Sequence, residues 1–359
     1  MQISRAITLA CSLLLSLAGA AQGAESWYPL DVHVWEPPFN GERQRRIESY
    51  APLTRASKPW RICVSVPHLK DDYWIGVNFG LIDEARRLGI SMQLFEAGGY
   101  GNLDIQRGQI EECMAQDADG LIISAISADG LIDLVERYRG QGKPVVDLIN
   151  GLAAPGITAR AAADFWDMGK QAASYLVGLQ PEAGDMVRVA FFPGPEGAAW
   201  VTAGDEGFRA GILDSAIQIV STAHGDTGLA AQGGLVEQAL DAYPDLDYIV
   251  GTAVTAEAAV PILRKRGLSD QVQVLAYYYS PGVHRGIARG YILAAPTDRQ
   301  VLLARIGIDQ VVRALEGEVL LKHVAPPVII VDRDNIRSID TAGALPPRGF
   351  RPIFSINEW

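Results

Sequence analysis

The sequence predicts an α/β protein built as two doubly wound parallel-sheet lobes, and three observations carry that expectation. Short β-rich runs at 61–66, 91–95, 120–124 and 144–149 alternate with helix-patterned stretches at 73–88, 103–114 and 131–138. A second series of the same kind begins near Trp166, with strands expected at 187–192, 216–221, 248–251 and 272–276. Helices fall between them near 203–214, 230–241 and 255–266. Strands separated by single helices at this spacing require parallel pairing with right-handed crossovers. The chain then runs through 291–295, a long helix near 300–315 and a last apolar run at 327–331. In such sheets ligands bind at the loops that follow the C-terminal ends of the strands.

The N-terminus bears on compartment. Residues 1–5 make a short positive start, 7–17 are almost purely apolar, and small residues follow up to Ala24. That is the layout of a cleavable secretory signal over 1–24, and the run is too short for a membrane span, which needs about 20 apolar residues. Residues 25–58 carry Pro29, Pro37, Pro38 and Pro52 without clear periodicity and are expected to form an arm wrapping a lobe. A net charge of −11 and a pI near 5.0 argue against a nucleic-acid partner, which calls for a basic face. Beyond the leader only Cys63 and Cys113 remain; in an oxidising compartment they suggest one disulfide, the alternative being two buried free thiols.

The order of these motifs resembles the type I periplasmic binding proteins, the ribose-binding-protein group, from about Trp60 to Phe354. The resemblance implies three crossovers between lobes, near 151–163, 295–299 and 323–328. One lobe then holds 59–155 and 299–324, the other 160–295 and 327–355. A closer likeness lies in Pro67-His-Leu-Lys-Asp-Asp-Tyr-Trp74, Glu96-Ala-Gly-Gly-Tyr100, Phe192-Pro-Gly-Pro195, Gly251-Thr-Ala253 and Gly349-Phe-Arg-Pro352. These blocks resemble the branch of the family that reports trimethylamine N-oxide to a membrane sensor histidine kinase. The likeness implies that ligand in the periplasm, and the kinase's periplasmic domain as partner. The alternative within the family is substrate capture for an ABC transporter, of a sugar or a methylated amine.

Four aromatics fall at loop positions after expected strands: Trp74 and Tyr100 in the first lobe, Trp166 beyond the first crossover, and Tyr278 in the second. A ring of aromatic faces suits a compact methylated ammonium, because the negative π-face attracts positive charge. The plainer reading of any one of them is core packing. Sugar-binding relatives carry charged or amide side chains where this chain has Ser124-Ala-Ile-Ser127, and a Gly-aromatic-Asp run where it has Ala276-Tyr277-Tyr278. Asp71 either faces a cationic nitrogen or caps the helix starting near Tyr73, with Asp72 the stronger candidate for the cap. Trp200, in a glycine-rich loop outside the matched positions, is expected to matter less.

Nothing in the sequence points to catalysis, a metal or a cofactor. The five histidines, His33, His68, His224, His284 and His323, show no metal-ligand spacing, and no nucleophile elbow, P-loop or dinucleotide fingerprint occurs. Gly98-Gly99-Tyr100-Gly101 reads as a tight turn that aims Tyr100 into the cleft.

Overall fold

The computed structural model describes residues 27–39, 43–180 and 186–357; the expected leader lies outside them. The described residues begin with a hairpin, β1 (Leu30–Trp35) and β2 (Arg45–Tyr50). The chain continues through β3 (Arg61–Val66), α1 (Asp72–Leu88), β4 (Ser91–Glu96), α2 (Leu103–Ala115), β5 (Gly120–Ile123), α3 (Ile132–Gly140), β6 (Val145–Leu148) and β7 (Ala159–Ala161). The second series holds α4 (Phe165–Gly178), β8 (Val187–Gly194), α5 (Ala199–Gly211), β9 (Ile217–His224), α6 (Leu229–Ala242), β10 (Tyr248–Gly251), α7 (Ala253–Arg266), β11 (Gln273–Ala276) and α8 (Pro281–Arg289). After β12 (Ala294–Thr297), α9 (Gln300–Glu316) returns to the first lobe, followed by β13 (His323–Ala325), β14 (Ile329–Asp332) and β15 (Ser355–Ile356).

One sheet of nine strands runs in the order β15-β4-β3-β5-β6-β7-β13-β1-β2, and a second of four runs β11-β10-β8-β9. Strands β3 to β7 and β13 pair in parallel in the first sheet, and the second sheet is wholly parallel. The central strands are buried on both faces, which is why they read as unbroken apolar runs. The first lobe is further joined by the Cys63–Cys113 disulfide, with Cα atoms 5.8 Å apart, between β3 and α2.

Three features differ from the sequence expectations. The proposed irregular arm at 25–58 contains the β1–β2 hairpin, which extends the first sheet through antiparallel pairing with β13. Edge strands lack a second buried face, and β2, with its Arg-Arg-Ile-Glu-Ser-Tyr sequence, carries no apolar run to reveal it. The last described strand, β15, pairs with β4 in the first sheet, whereas the expected lobe limits assign that segment to the second lobe. Strand β7 likewise belongs to the first sheet, moving the first crossing to the few residues between Ala161 and Phe165.

Hairpin and second lobe also meet directly. Arg43 pairs with Asp164 at 3.2 Å, and Arg45 pairs with Asp167, both partners lying at the N-terminus of α4. Carboxylates there also favour the positive end of the helix dipole.

Candidate functional site

The parallel strands of both sheets deliver their following loops to one cleft. From the first lobe come Tyr73 and Trp74 in the opening turn of α1, Tyr100 in the β4–α2 loop, and Ile149 and Asn150 after β6. From the second come Phe165 and Trp200, opening α4 and α5, Thr227 before α6, and Tyr278 after β11. Together they line a narrow space with an almost wholly apolar wall. The rings meet edge to face around it, except Tyr100 and Trp200, which are tilted by 56°. Tyr73 and Trp74 lie 5.7 Å apart, Tyr73 and Tyr278 5.2 Å, Trp200 and Tyr278 6.0 Å, and Tyr100 and Trp200 5.9 Å between centroids. Edge-to-face contact is the favoured aromatic geometry, so the wall supports itself.

Hydrogen bonds behind the rings fix their orientation. The Tyr73 hydroxyl donates to Asp298 Oδ2 at 2.6 Å, and Asn150 Nδ2 donates to the Tyr100 hydroxyl at 3.0 Å. Gly194, at φ 118°, makes room for Trp200, since a Cβ there would stand 2.7 Å from the indole ring.

The lobes are clasped at the mouth of the cleft. Lys70 forms an ion pair with Asp226, and beneath it His68 Nε2 and Thr227 Oγ1 share a hydrogen bond of 2.8 Å. A Cβ on Gly99 would lie 3.0 Å from Lys70 Nζ and 3.2 Å from Asp226 Oδ2, so the bare backbone lets this pair close over it.

Asp71 sits between clasp and rings. Its Oδ1 accepts from the Trp74 backbone N–H at 3.1 Å, capping α1, while its buried Oδ2 has no hydrogen-bond partner. His68 Nε2 stands 3.9 Å away, but burial and the Lys70 charge hold that imidazole's pKa down to about 3, so it is neutral and forms no ion pair. Burial pushes the Asp71 carboxyl up to about 7; the Trp74 N–H opposes this and the nearby Glu257 carboxylate adds to it. Burial also raises Asp298 to about 6. Among the described residues, no group of His, Cys, Asp or Glu is arranged to hold a metal ion.

Of the residues singled out in the sequence, the structure brings Trp74, Tyr100 and Tyr278 around one space, with Asp71 beside them. Trp166 is not among them: it lies outside, its ring covered by Arg43 at 4.1 Å and Lys170 at 4.9 Å. Helix geometry explains the exchange. Successive residues of α4 point about 100° apart, so with Phe165 facing in, Trp166 turns out. Trp200 takes the vacant wall, because α5 starts at Ala199 and not near 203, which puts Trp200 in a first turn rather than in a loop. Asp71, not Asp72, is the helix cap; Asp72 is the first helical residue, 3.6 Å from Arg285.

The family model for the periplasmic binding protein domain matches residues 62–318. The chain belongs to that family. It is 34% identical over 313 residues to the periplasmic protein TorT of Escherichia coli K12, covering 86% of this chain and 88% of TorT. A crystal structure of an ABC transporter solute-binding protein from Bradyrhizobium sp. BTAi1, with bound Bis-Tris, superposes with a TM-score of 0.80 at 47% identity, covering 92% of this chain and 99% of that one. TorT in complex with the TorS sensor domain in the presence of TMAO gives 0.75 at 29% identity, covering 82% and 99%. This periplasmic binding protein is thus a ligand-binding protein and not an enzyme, and among its described residues no helix is long and apolar enough to cross a membrane.

Asp71 makes stability depend on pH. Its carboxyl pKa rises from an ordinary 3.8 to about 7 on folding, so the folded state holds the proton more tightly. The contribution is complete below pH about 4 and is lost as pH rises through 7. The Asp71→Asn variant keeps an acceptor for the Trp74 N–H and removes the titration. Between pH 5 and 8 the ligand-free wild type should lose melting temperature relative to this variant, by about 2–4 °C for each kcal/mol. Parallel melting curves for the two proteins would contradict the assignment.

Proposed function

We propose that this periplasmic binding protein takes trimethylamine N-oxide into the aromatic space between its lobes and signals through the periplasmic domain of a TorS-like sensor histidine kinase. The observation that supports the ligand is the ring wall of Trp74, Tyr100, Trp200 and Tyr278, with Asp71, at the cap of α1 just behind that lining, keeping its Oδ2 unpartnered. Ring faces attract the polarised methyls and nitrogen at roughly 0.5–2 kcal/mol each. In its ionised form the Asp71 carboxyl favours the positive end of the N–O dipole, so ligand binding and loss of its proton are coupled. The oxide oxygen needs a donor, and the indole N–H of Trp200 faces Tyr100 without completing a hydrogen bond. The scarcity of fixed polar groups disfavours a polyol. TorT likeness over most of the chain supports the same ligand and partner.

In this mechanism ligand between the lobes favours the clasped arrangement, and the partner reads that arrangement rather than the ligand. A second reading, capture for an ABC transporter, is favoured by the Bradyrhizobium protein. Its Bis-Tris is both a tertiary amine and a polyol, so that reading takes either a sugar or a methylated amine as the ligand.

Isothermal calorimetry tests the ligand. Trimethylamine N-oxide should bind, trimethylamine distinctly less well and ribose not at all. Trp74→Ala and Trp200→Ala should each weaken binding by about ten-fold or more, about 1.4 kcal/mol, with Trp166→Ala unchanged. Retained affinity in both Trp74 and Trp200 variants, with the fold intact by circular dichroism, would remove the physical basis of the assignment. Gel filtration tests the partner: the protein should co-elute with a TorS-like periplasmic domain. Separate elution with and without ligand would favour the transporter reading.

A further inference from the structure

The N-terminal hairpin leaves one edge of the first sheet open. Strand β2 stands last in the nine-stranded order, and among the described residues its only strand partner is β1. In an antiparallel ladder, opposite residues alternate between pairs that exchange backbone hydrogen bonds and pairs that do not. The Glu36 N–H donates to the Gln44 carbonyl at 3.2 Å, which places the bonded positions of this ladder at Gln44, Arg46, Glu48 and Tyr50. The backbone N–H and C=O groups of Arg45, Ile47 and Ser49 therefore point away from β1, out of the sheet edge.

A free edge is commonly blunted by a bulge, a proline, charge or a covering segment. Here the pairing runs from Leu30–Tyr50 to Trp35–Arg45 without a register shift, and β2 contains no proline. Arg45, Arg46, Ile47 and Ser49 are all exposed, so no described segment covers the strand. Ile47 stands at its middle, 66% exposed. The remaining guard is charge, and its signs alternate. Arg46 and Glu48 share the face opposite Ile47 and pair with each other along the strand.

Two β2 strands laid antiparallel about Ile47 satisfy all of these groups together. Ile47 then faces Ile47 and Arg45 faces Ser49, with their outward N–H and C=O groups bonded across the edge. Arg46 lies opposite Glu48 of the second copy in a non-bonded pair, where side chains approach most closely. The two arginines and two glutamates form a square of alternating sign. Opposite charges directly across a ladder stabilise it and like charges destabilise it. Moving the centre by one residue sets Arg46 against Arg46 or Glu48 against Glu48, so the charges select one register.

We propose that β2 is a docking edge for a second copy of this chain, joining two first-lobe sheets edge to edge in a two-fold dimer. The axis through Ile47 makes the contact isologous, so it closes on itself and does not grow into a filament. A ladder of six residues from each copy is smaller than the roughly 20–30 residues a side of a stable interface, so the dimer is reversible. The hairpin also holds the second lobe through Arg43 and Arg45, which sets the dimer contact beside the junction of the lobes. It stands apart from the cleft and holds for any ligand.

Sedimentation equilibrium of the mature chain tests it. The average mass should rise from monomer toward dimer with concentration, with a dissociation constant on the order of 100 μM or tighter. Arg46→Glu and Glu48→Arg each set like charges opposite one another in both symmetry-related pairs, and each should weaken the dimer about ten-fold or more. The double variant restores opposite signs and should return the constant to within about three-fold of wild type. Opposite residues of a bonded pair stand about 5.5 Å apart at Cα, within disulfide range. Oxidised Ile47→Cys should therefore run as a covalent dimer, and Ser49→Cys, which lies off the axis, should not. A mass that stays monomeric up to about 1 mM would overturn the proposal. So would a dimer indifferent to the single reversals, a double variant as weak as either single one, or linkage through Ser49→Cys as ready as through Ile47→Cys.

Discussion

A carboxylate that caps a helix with one oxygen and leaves the other bare inside a closed cleft constrains everything around it. Asp71 fixes where α1 begins, and so fixes Tyr73 and Trp74 in its first turn. Its position between the lobes strips it of water, and the neutral His68 offers it no counter-charge. An isolated buried charge is among the costliest arrangements in a protein interior, and the group responds by holding its proton. A positively polarised ligand removes that cost at its source. In the proposed function, the strained electrostatics of the ligand-free cleft and a preference for amines are one property seen twice.

Closure depends on the same few residues. The Lys70–Asp226 pair and the His68–Thr227 hydrogen bond join loops from opposite sheets directly over the aromatic space. On the far side the N-terminal hairpin holds the start of α4 through Arg43 and Arg45. Exposed ion pairs contribute little stability individually, about 0–1 kcal/mol, so these pairs hold the lobes together only weakly. The rings supply the larger attraction, yet enclose a space between them that no side chain fills.

Much of this was legible in the sequence, for definable reasons. Strands β3, β5 and β6 are buried on both faces and announce themselves as apolar runs, and the parallel topology follows from their spacing. Trp74, Tyr100 and Tyr278 follow strand ends and reach the cleft as that topology requires. The failures are matters of local geometry. The hairpin strand β2 is polar and lies at a sheet edge. Phe165 and Trp166 are adjacent aromatics at a helix start, and only the helix phase decides which one faces inward. Trp200 follows Pro193-Gly-Pro-Glu-Gly-Ala-Ala, a stretch whose glycines read as loop, although Gly194 is there to admit the indole. The capping position likewise differs by one residue between Asp71 and Asp72, a distinction that backbone conformation makes and composition does not.

The central claim is that the ring wall and Asp71 together form an amine site. A crystal structure of the protein grown with trimethylamine N-oxide tests it most directly. The account predicts the ligand nitrogen within about 6 Å of the ring centroids of Trp74, Tyr100, Trp200 and Tyr278, with its methyl groups toward Asp71 Oδ2 and its oxygen turned away from that carboxylate. A ligand bound elsewhere, or one lodged among the rings with its oxygen against Asp71, would contradict it.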